Sequence, residues 1–379
     1  MKKKFSGFLV SPGAMSAYAS VMAILVGLLF GFLILLISNP AQAVRGLGTI
    51  LMGGLGDSWR GVGQVLYYAT PIIMTGLSVG FAFKTGLFNI GAPGQLMVGG
   101  FVAVYIGVNW TFLPGAAHWI VGILMAMLAG GLWGLVPGLF KALFNVHEVI
   151  SSIMMNYIGM YGVNLLIERT VYDQLKNQTV SVAGTAVIPK GGLDQIFVNY
   201  TGDYADASTV NIGIFIAILM AIVIFMLLYK TQFGFELRAC GLNRHASRYA
   251  GINEKRTIAL SMVIAGTLAG CAGALMYLAP ASGLHMRVEE ILSPEGFNGI
   301  PVALLGLSNP IGVVFAGLFI AHIEQGGFYL QRLEYMPEVI DIIIAAIIYF
   351  SAFSLLFKRL LSKWLLARQS RREEGGEPK

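Results

Sequence analysis

Long uncharged apolar runs, separated by short polar interruptions, dominate the chain. Ser16–Ser38 extends for about 23 residues without a charge, and Asn211–Tyr229 and Ile258–Ala279 are each about 20 long. At about 1.5 Å per residue, each can cross a hydrocarbon core of about 30 Å. In lipid a segment must satisfy its own backbone hydrogen bonds, so these runs predict helices, and the period-two alternation of a membrane barrel is absent. The pattern gives ten crossings, at 16–38, 65–83, 95–109, 118–140, 149–167, 211–229, 258–279, 297–307, 311–329 and 338–357. The eighth has only about 11 residues; it either crosses or pairs with the ninth as a re-entrant hairpin. The predicted fold class is an all-α polytopic membrane protein with about ten transmembrane helices.

Composition sharpens the picture. Of 379 residues 56% are hydrophobic and 12% charged, against about a quarter charged in soluble domains. The 48 glycines recur in four-residue spacings: Gly27/Gly31, Gly76/Gly80, Gly130/Gly134, Gly134/Gly138 and Gly266/Gly270. Such pairs let helix backbones approach closely, which predicts a tightly packed bundle.

The net charge of +6 excludes a nucleic-acid reading by its placement, because basic residues gather at Lys2–Lys4, Lys230–Arg256 and Lys358–Arg372, flanking apolar runs. With ten crossings both termini share one side, and 18 of the 25 Lys and Arg fall on that side. The positive-inside rule makes it cytoplasmic. The expected organisation is a cytoplasmic N-terminus at 1–15, a transmembrane domain at 16–357 and a cytoplasmic basic tail at 358–379. Within the domain lie an external loop at 168–210 and a cytoplasmic loop at 230–257. A loop as long as the external one is either functional or disordered. The Met-Lys-Lys-Lys start resembles the n-region of a signal peptide, but the following run is too long and lacks a small-residue cleavage site. It is read as a retained first helix. Cys240 and Cys271 are too few and too far apart for a disulfide framework or a Cys-x-x-Cys site.

Two polar segments carry candidate chemistry. Lys84–Gln95 places Gly86, Gly91, Pro93 and Gly94 between two apolar runs. Broken helices of this kind hold solute sites in transporters, with freed backbone dipoles and amides such as Asn89 and Gln95; a plain connecting loop is equally open. In Phe233–Ile252, Asn243 suits an N-cap, Arg244–Ala250 a short helix and Gly251 a left-handed C′ residue. Arg244 and Arg248 then share one face, as on a docking knob for a soluble partner or a solvated basic loop. Intramembrane polar residues are functional candidates because burying them is costly; Glu148, Asn156, Asn164, Glu324 and Asp341 fit. Glu148 and Asn156, eight residues apart, are placed on one side of a helix, facing a cavity or a neighbouring helix. A faint echo links Gly86–Gly91 with Glu295–Ile300, both putting Phe-Asn among glycines. On the predicted topology they lie on opposite faces, as in an inverted repeat, which adds Asn298 to the solute-path candidates.

Enzyme readings find little support. Gly76-Leu77-Ser78-Val79-Gly80 has the spacing of a nucleophile elbow but sits inside an apolar helix, without strand–turn–helix context. His147-Glu148 begins a zinc-protease pattern, yet Ser151 stands where the second histidine must be. No catalytic residue and no metal site is expected. The chain has no Gly-Lys dipeptide and hence no Walker A loop; no cofactor is expected on it.

Three ordered motifs then make the chain recognisable. They are Gly86-Leu87-Phe88-Asn89-Ile90-Gly91 with Gly94-Gln95, His147-Glu148-Val149-Ile150 leading to Met155-Asn156-Tyr157, and Leu237-Arg238-Ala239 with Gly241, Asn243, Ala246 and Tyr249-Ala250-Gly251-Ile252. Together they resemble the ABC-importer permeases of the branched-chain amino acid and simple-sugar superfamily, most nearly the nucleoside (guanosine-type) permeases that work with basic-membrane-protein lipoproteins. The resemblance runs from about residue 16 to 357. It implies a second homologous permease, cytoplasmic ATP-binding subunits and an extracytoplasmic substrate-binding lipoprotein, all in a bacterial plasma membrane. It makes 237–252 the ATPase-coupling segment, with Arg238, Gly241, Asn243, Ala246 and Gly251 as matching residues, and turns the external loop toward the binding protein. Pro93 departs from the acidic or polar residue expected before Gly94 and puts solute contacts there in doubt. Simple sugars and branched-chain amino acids remain alternative solutes, and an ion-coupled secondary transporter an alternative class.

Overall fold

A computed structural model describes residues 12–201, 204–279 and 285–351, together with 353, 356, 357, 359, 360, 362 and 363. The expected basic cluster at 2–4 and most of the basic tail at 358–379 lie outside them. The chain divides into two compact units, one of residues 52–325 and one of 1–51 with 326–379.

In the first unit the helices are α3 (Ser58–Lys84), α4 (Ala92–Asn109), α5 (Gly115–Phe144), α6 (Glu148–Thr170), α8 (Gly213–Lys230), α9 (Gln232–Leu242), α10 (Arg244–Tyr249), α11 (Glu254–Tyr277) and α12 (Pro294–Leu305); a four-residue turn of helix, α7 (Leu193–Ile196), lies between α6 and α8. The chain then enters α13 (Pro310–Leu330), whose residues to Gln325 belong to this unit. At its centre α11 lies between α4 and α5, and glycine makes that possible. A Cβ on Gly266 would stand 2.3 Å from the carbonyl oxygen of Gly130, and one on Gly273 would stand 2.2 Å from that of Leu96. The backbones therefore touch, giving the packing contact that lipid cannot replace. Ser78 Oγ fastens α3 to the same centre by donating to the Ala265 carbonyl at 2.7 Å.

The 168–210 segment is folded rather than loose. It forms two antiparallel hairpins, β1–β2 (Tyr172–Asp173, Gln178–Thr179) and β3–β4 (Val198–Thr201, Tyr204–Ala207). Thr179 N–H donates to the Met286 carbonyl at 2.9 Å, and Ile188 N–H to that of Leu278 at 2.8 Å. The segment thus closes over the ends of α4 and α11, and Arg60 pairs with Asp206 at 2.9 Å.

The second unit holds α1 (Pro12–Ser38), α2 (Ala43–Met52, to Leu51) and α14 (Pro337–Ser351). Gly31 receives the Ile343 side chain, and Tyr335 Oη donates to the Asn39 carbonyl at 3.0 Å. The sequence pattern did not mark α2. This helix is too short to cross a membrane and is amphipathic rather than uniformly apolar, with Ala43, Gly46 and Ile50 as its buried face.

Each of the ten predicted crossings overlaps a helix, and among the described residues eight helices are long and apolar enough to cross a membrane. The exceptions are α12, with 12 residues, and α14, with 15 described. The described protein is therefore mostly helical with eight candidate spans.

Candidate translocation and coupling sites

The interruption between α3 and α4 is built as a break in which turns and side chains answer much of the freed backbone. Gly86, at φ +76°, ends α3 in the left-handed conformation; Gly86 N–H donates to Phe83 O at 3.1 Å and Leu87 N–H to Ala82 O at 2.9 Å. This is the paired closure that glycine permits at a helix C-terminus. Pro93 occupies the first turn of α4, where a missing N–H costs nothing because that donor has no partner in the helix anyway. The proline at the position expected to be polar is thus explained by helix initiation.

Amide side chains complete the break. Asn156, from α6, accepts from Gly94 N–H at 3.0 Å and donates to Ile90 O at 2.9 Å, capping α4 from a different helix. Asn89 and Gln95 form a reciprocal pair at 2.8 and 3.1 Å, and Asn89 also donates to Ser78 Oγ at 3.0 Å. The three are 0%, 1% and 2% exposed in the order Asn89, Gln95, Asn156. Irregular backbone at this depth survives because protein groups replace water. The serine of the Gly-x-Ser-x-Gly match is consumed in this network, between Asn89 and Ala265.

The remaining solute-path candidates are dispersed. Glu148 opens α6 and pairs with Lys141 of α5 at 2.8 Å, both side chains about one-tenth exposed. Asn298, on α12, donates to Glu324 at 3.0 Å. The expected separation of the two Phe-Asn segments onto opposite faces is corrected. A Cβ on Gly296 would lie 2.4 Å from Pro93 Cα, so the two segments abut. Both begin a helix with a proline in its first turn, α4 at Pro93 and α12 at Pro294, and these starts meet because glycine lets them.

Beside that meeting point lies a cavity of about 210 Å³. Its walls include Met97, Tyr277, Met286, Glu289, Ser293 and Glu295. Ser293 Oγ donates to Glu295 at 2.6 Å. None of Asn89, Gln95, Glu148, Asn156 and Asn298 lines it. Sequence reasoning missed it because residues 285–293 carry no regular pattern; their place is set by pairing with Asn177–Thr179.

The coupling candidates form one compact object. Thr231 caps α9, Asn243 caps α10 by accepting from Ala246 N–H at 3.0 Å, and Asn253 caps α11. Gly251, at φ +82°, closes α10 with Ile252 N–H on Ser247 O at 3.1 Å. Helix α9 lies within the expected cytoplasmic loop, where Gly234 and Gly241 lower the helical propensity of the sequence. Both are required by close packing: a Cβ on Gly234 would stand 2.0 Å from Leu227 O, and one on Gly241 would stand 2.8 Å from Gly86 N and Lys84 O. The segment therefore rests directly on the turn that starts the break. Arg238 lies over the Tyr229 ring at 5.0 Å, binding α9 to α8. Arg248 is exposed and Arg244 half-buried, beside Leu242 and Tyr249 at 89% and 95% exposed. These two apolar side chains, stranded in a basic stretch, were the overlooked signal for a binding face.

Eight candidate spans, a helix broken inside the bundle and a capped helix seated on the break define a multi-pass membrane transport subunit. The chain belongs to the family described as branched-chain amino acid transport system/permease component, whose model matches residues 61–352. It is 39% identical over 344 residues to the guanosine ABC transporter permease protein NupP of Bacillus subtilis, covering 90% of this chain and 95% of that one. It is 33% identical to the nucleoside ABC transporter permease protein NupB of Lactococcus lactis, over 90% and 93% of the two chains. A glucose ABC transporter permease of Haloferax volcanii is 30% identical over 89% and 88%. No solved structure matches. The protein is an ABC permease subunit of the bacterial plasma membrane, a transporter component rather than an enzyme.

Proposed function

We propose that this chain forms half of the translocation path of an ATP-driven nucleoside importer. Its ten predicted membrane segments would place both termini in the cytoplasm, with α12 either crossing or forming a re-entrant pair with α13. A second homologous permease would complete the path, cytoplasmic ATPases would dock at 230–257, and a substrate-binding lipoprotein would meet 168–210. ATP is bound by the ATPase subunits, and this chain holds no cofactor.

The observation that carries the coupling proposal is the seating of Gly241 against Gly86. An ATPase gripping Leu242, Arg244, Arg248 and Tyr249 would move α9, and α9 presses on the first residue of the break. Asn89, Gln95 and Asn156 then act as the hinge beside the solute, with Glu148 and Asn298 at flanking joints. Arg238, Asn243, Ala246 and Gly251 hold the knob's shape. The names of the two relatives support nucleoside as solute; the glucose permease relative supports a sugar as the second reading.

The test is uptake of labelled nucleosides, sugars and branched-chain amino acids in a strain lacking this gene, restored with wild type or with Arg244→Glu/Arg248→Glu. Nucleoside uptake should return with wild type and fall about tenfold or more in the double variant, as for loss of a desolvated charged contact. Sugar uptake alone would replace the solute assignment, and full uptake by the double variant would remove the docking face.

A further inference from the structure

Helix α6 carries three faces. Asn156, Met160, Val163 and Ile167 are buried, the last three packed with Met97, Phe101 and Val104 of α4. Met154, Ile158 and Leu165 are exposed and apolar, as a lipid-facing side requires. Between them run Tyr157, Tyr161, Asn164 and Glu168, at spacings i, i+4, i+7 and i+11 that place them on one helical stripe. Tyr157 and Tyr161 are 49% and 52% exposed. Each lies nine residues from the nearer end of this 23-residue span, about 14 Å at about 1.5 Å per residue. Membrane proteins keep exposed tyrosine at the two interfaces; at mid-depth in hydrocarbon its hydroxyl would lack a partner. This face therefore does not look onto lipid tails.

A second observation ties the stripe to the cavity. Asn164 Nδ2 donates to the Glu289 carbonyl at 2.9 Å, and Glu289 lines the cavity wall. Asn164 Oδ1 has no hydrogen-bond partner. The polar line thus continues from the cavity down the middle of α6.

Building on the nucleoside reading, we propose that this stripe lines the solute path and that the rings of Tyr157 and Tyr161 receive the flat face of the nucleobase. Aromatic side chains bind bases without regard to their hydrogen-bonding edges, since every base has a π-face. Two rings about 6 Å apart along the axis offer successive stacking positions for a base in transit.

The test uses the native strain with chromosomal substitutions. Tyr157→Leu and Tyr161→Leu should each lower uptake of a labelled purine nucleoside about tenfold, the loss of one stacking contact, whereas Tyr157→Phe and Tyr161→Phe should keep most of it. Separately, Tyr157→Cys and Tyr161→Cys should react with a membrane-impermeant charged thiol reagent, more slowly when nucleoside is present. Ile158→Cys on the lipid side should stay unreactive, and the native Cys240 and Cys271 are buried. Normal nucleoside uptake by both Leu variants would overturn the stacking site while leaving the nucleoside reading standing. A wild type that imports no nucleoside would overturn both. Reaction at 157 and 161 no faster than at 158 would show that lipid or a second permease covers the stripe, and would overturn the path.

Discussion

A single amide, Asn156, shows how one residue sustains an irregular backbone inside a membrane protein. It answers Gly94 N–H and Ile90 O at once, and without it both stay buried and unpaired. Each such group costs about 1–3 kcal/mol, so Asn156→Ala should destabilise the protein by about 2–5 kcal/mol. Asn156→Asp, which sets a carboxylate oxygen against the Ile90 carbonyl and buries a charge, should cost at least as much; chemical unfolding in detergent measures both. The buried pair of Lys141 and Glu148 carries a different prediction. Removing either partner strands a charge, at about 3–5 kcal/mol, whereas Lys141→Met/Glu148→Leu together should be near neutral. Thermal melting of the three variants decides it, and equal losses in the double and single variants would mean that packing, not charge, holds this corner. The sequence made Asn89, Gln95, Glu148 and Asn156 visible because polar side chains among apolar runs need a reason. It did not show that Asn156 caps the break that Asn89 and Gln95 brace, since contacts between residue 156 and residues 90 and 94 depend on helix packing that no local period encodes.

At the level of elements, the long apolar helices were legible from pattern alone, whereas the short ones were not. Helix α9 hid behind two glycines whose purpose is tertiary: Gly234 fits against Leu227 and Gly241 against the 84–86 turn. Helix α10 was legible because its stop and start signals, Asn243 and Gly251, are local chemistry. The contact between α9 and the break yields a sharp expectation. Gly241→Val forces the turn and the docking segment apart, because a Cβ has no room at 2.8 Å from backbone. In the assembled transporter ATP hydrolysis should persist at close to its normal rate while uptake falls about tenfold or more, the size of a typical coupling energy between sites. Gly251→Ala, strained at positive φ but in open space, should cost only about 1 kcal/mol of stability and leave coupling near normal. Parallel loss of hydrolysis and uptake in Gly241→Val would mean that α9 supports assembly rather than transmission.

For the molecule as a whole, the packing of α4, α5 and α11 sets what can move. Where Gly130 meets Gly266 and Gly273 meets Leu96, backbone lies on backbone, and such a block has no slack to deform. The break, by contrast, is held by amide hydrogen bonds, and residues 285–293 by backbone pairing with Asn177–Thr179; both sets of bonds can exchange partners at little cost in packing. Motion should therefore concentrate around residues 85–95 and 285–300 while the three-helix block moves as one body. Hydrogen exchange followed by mass spectrometry, with and without ATP in the assembled transporter, tests this division. The expected outcome is nucleotide-dependent exchange in 85–95 and 285–300 and strong, unchanging protection in 122–138 and 262–274. Gly266→Leu should instead wedge the block open, costing more than about 3 kcal/mol because backbone cannot yield as a side chain can, and should raise exchange throughout those protected segments. If ATP altered protection within the glycine-packed helices themselves, the block would be part of the moving machinery, and alternating access would have to be carried by deformation of the bundle rather than by the hinge that Asn89, Gln95 and Asn156 hold together.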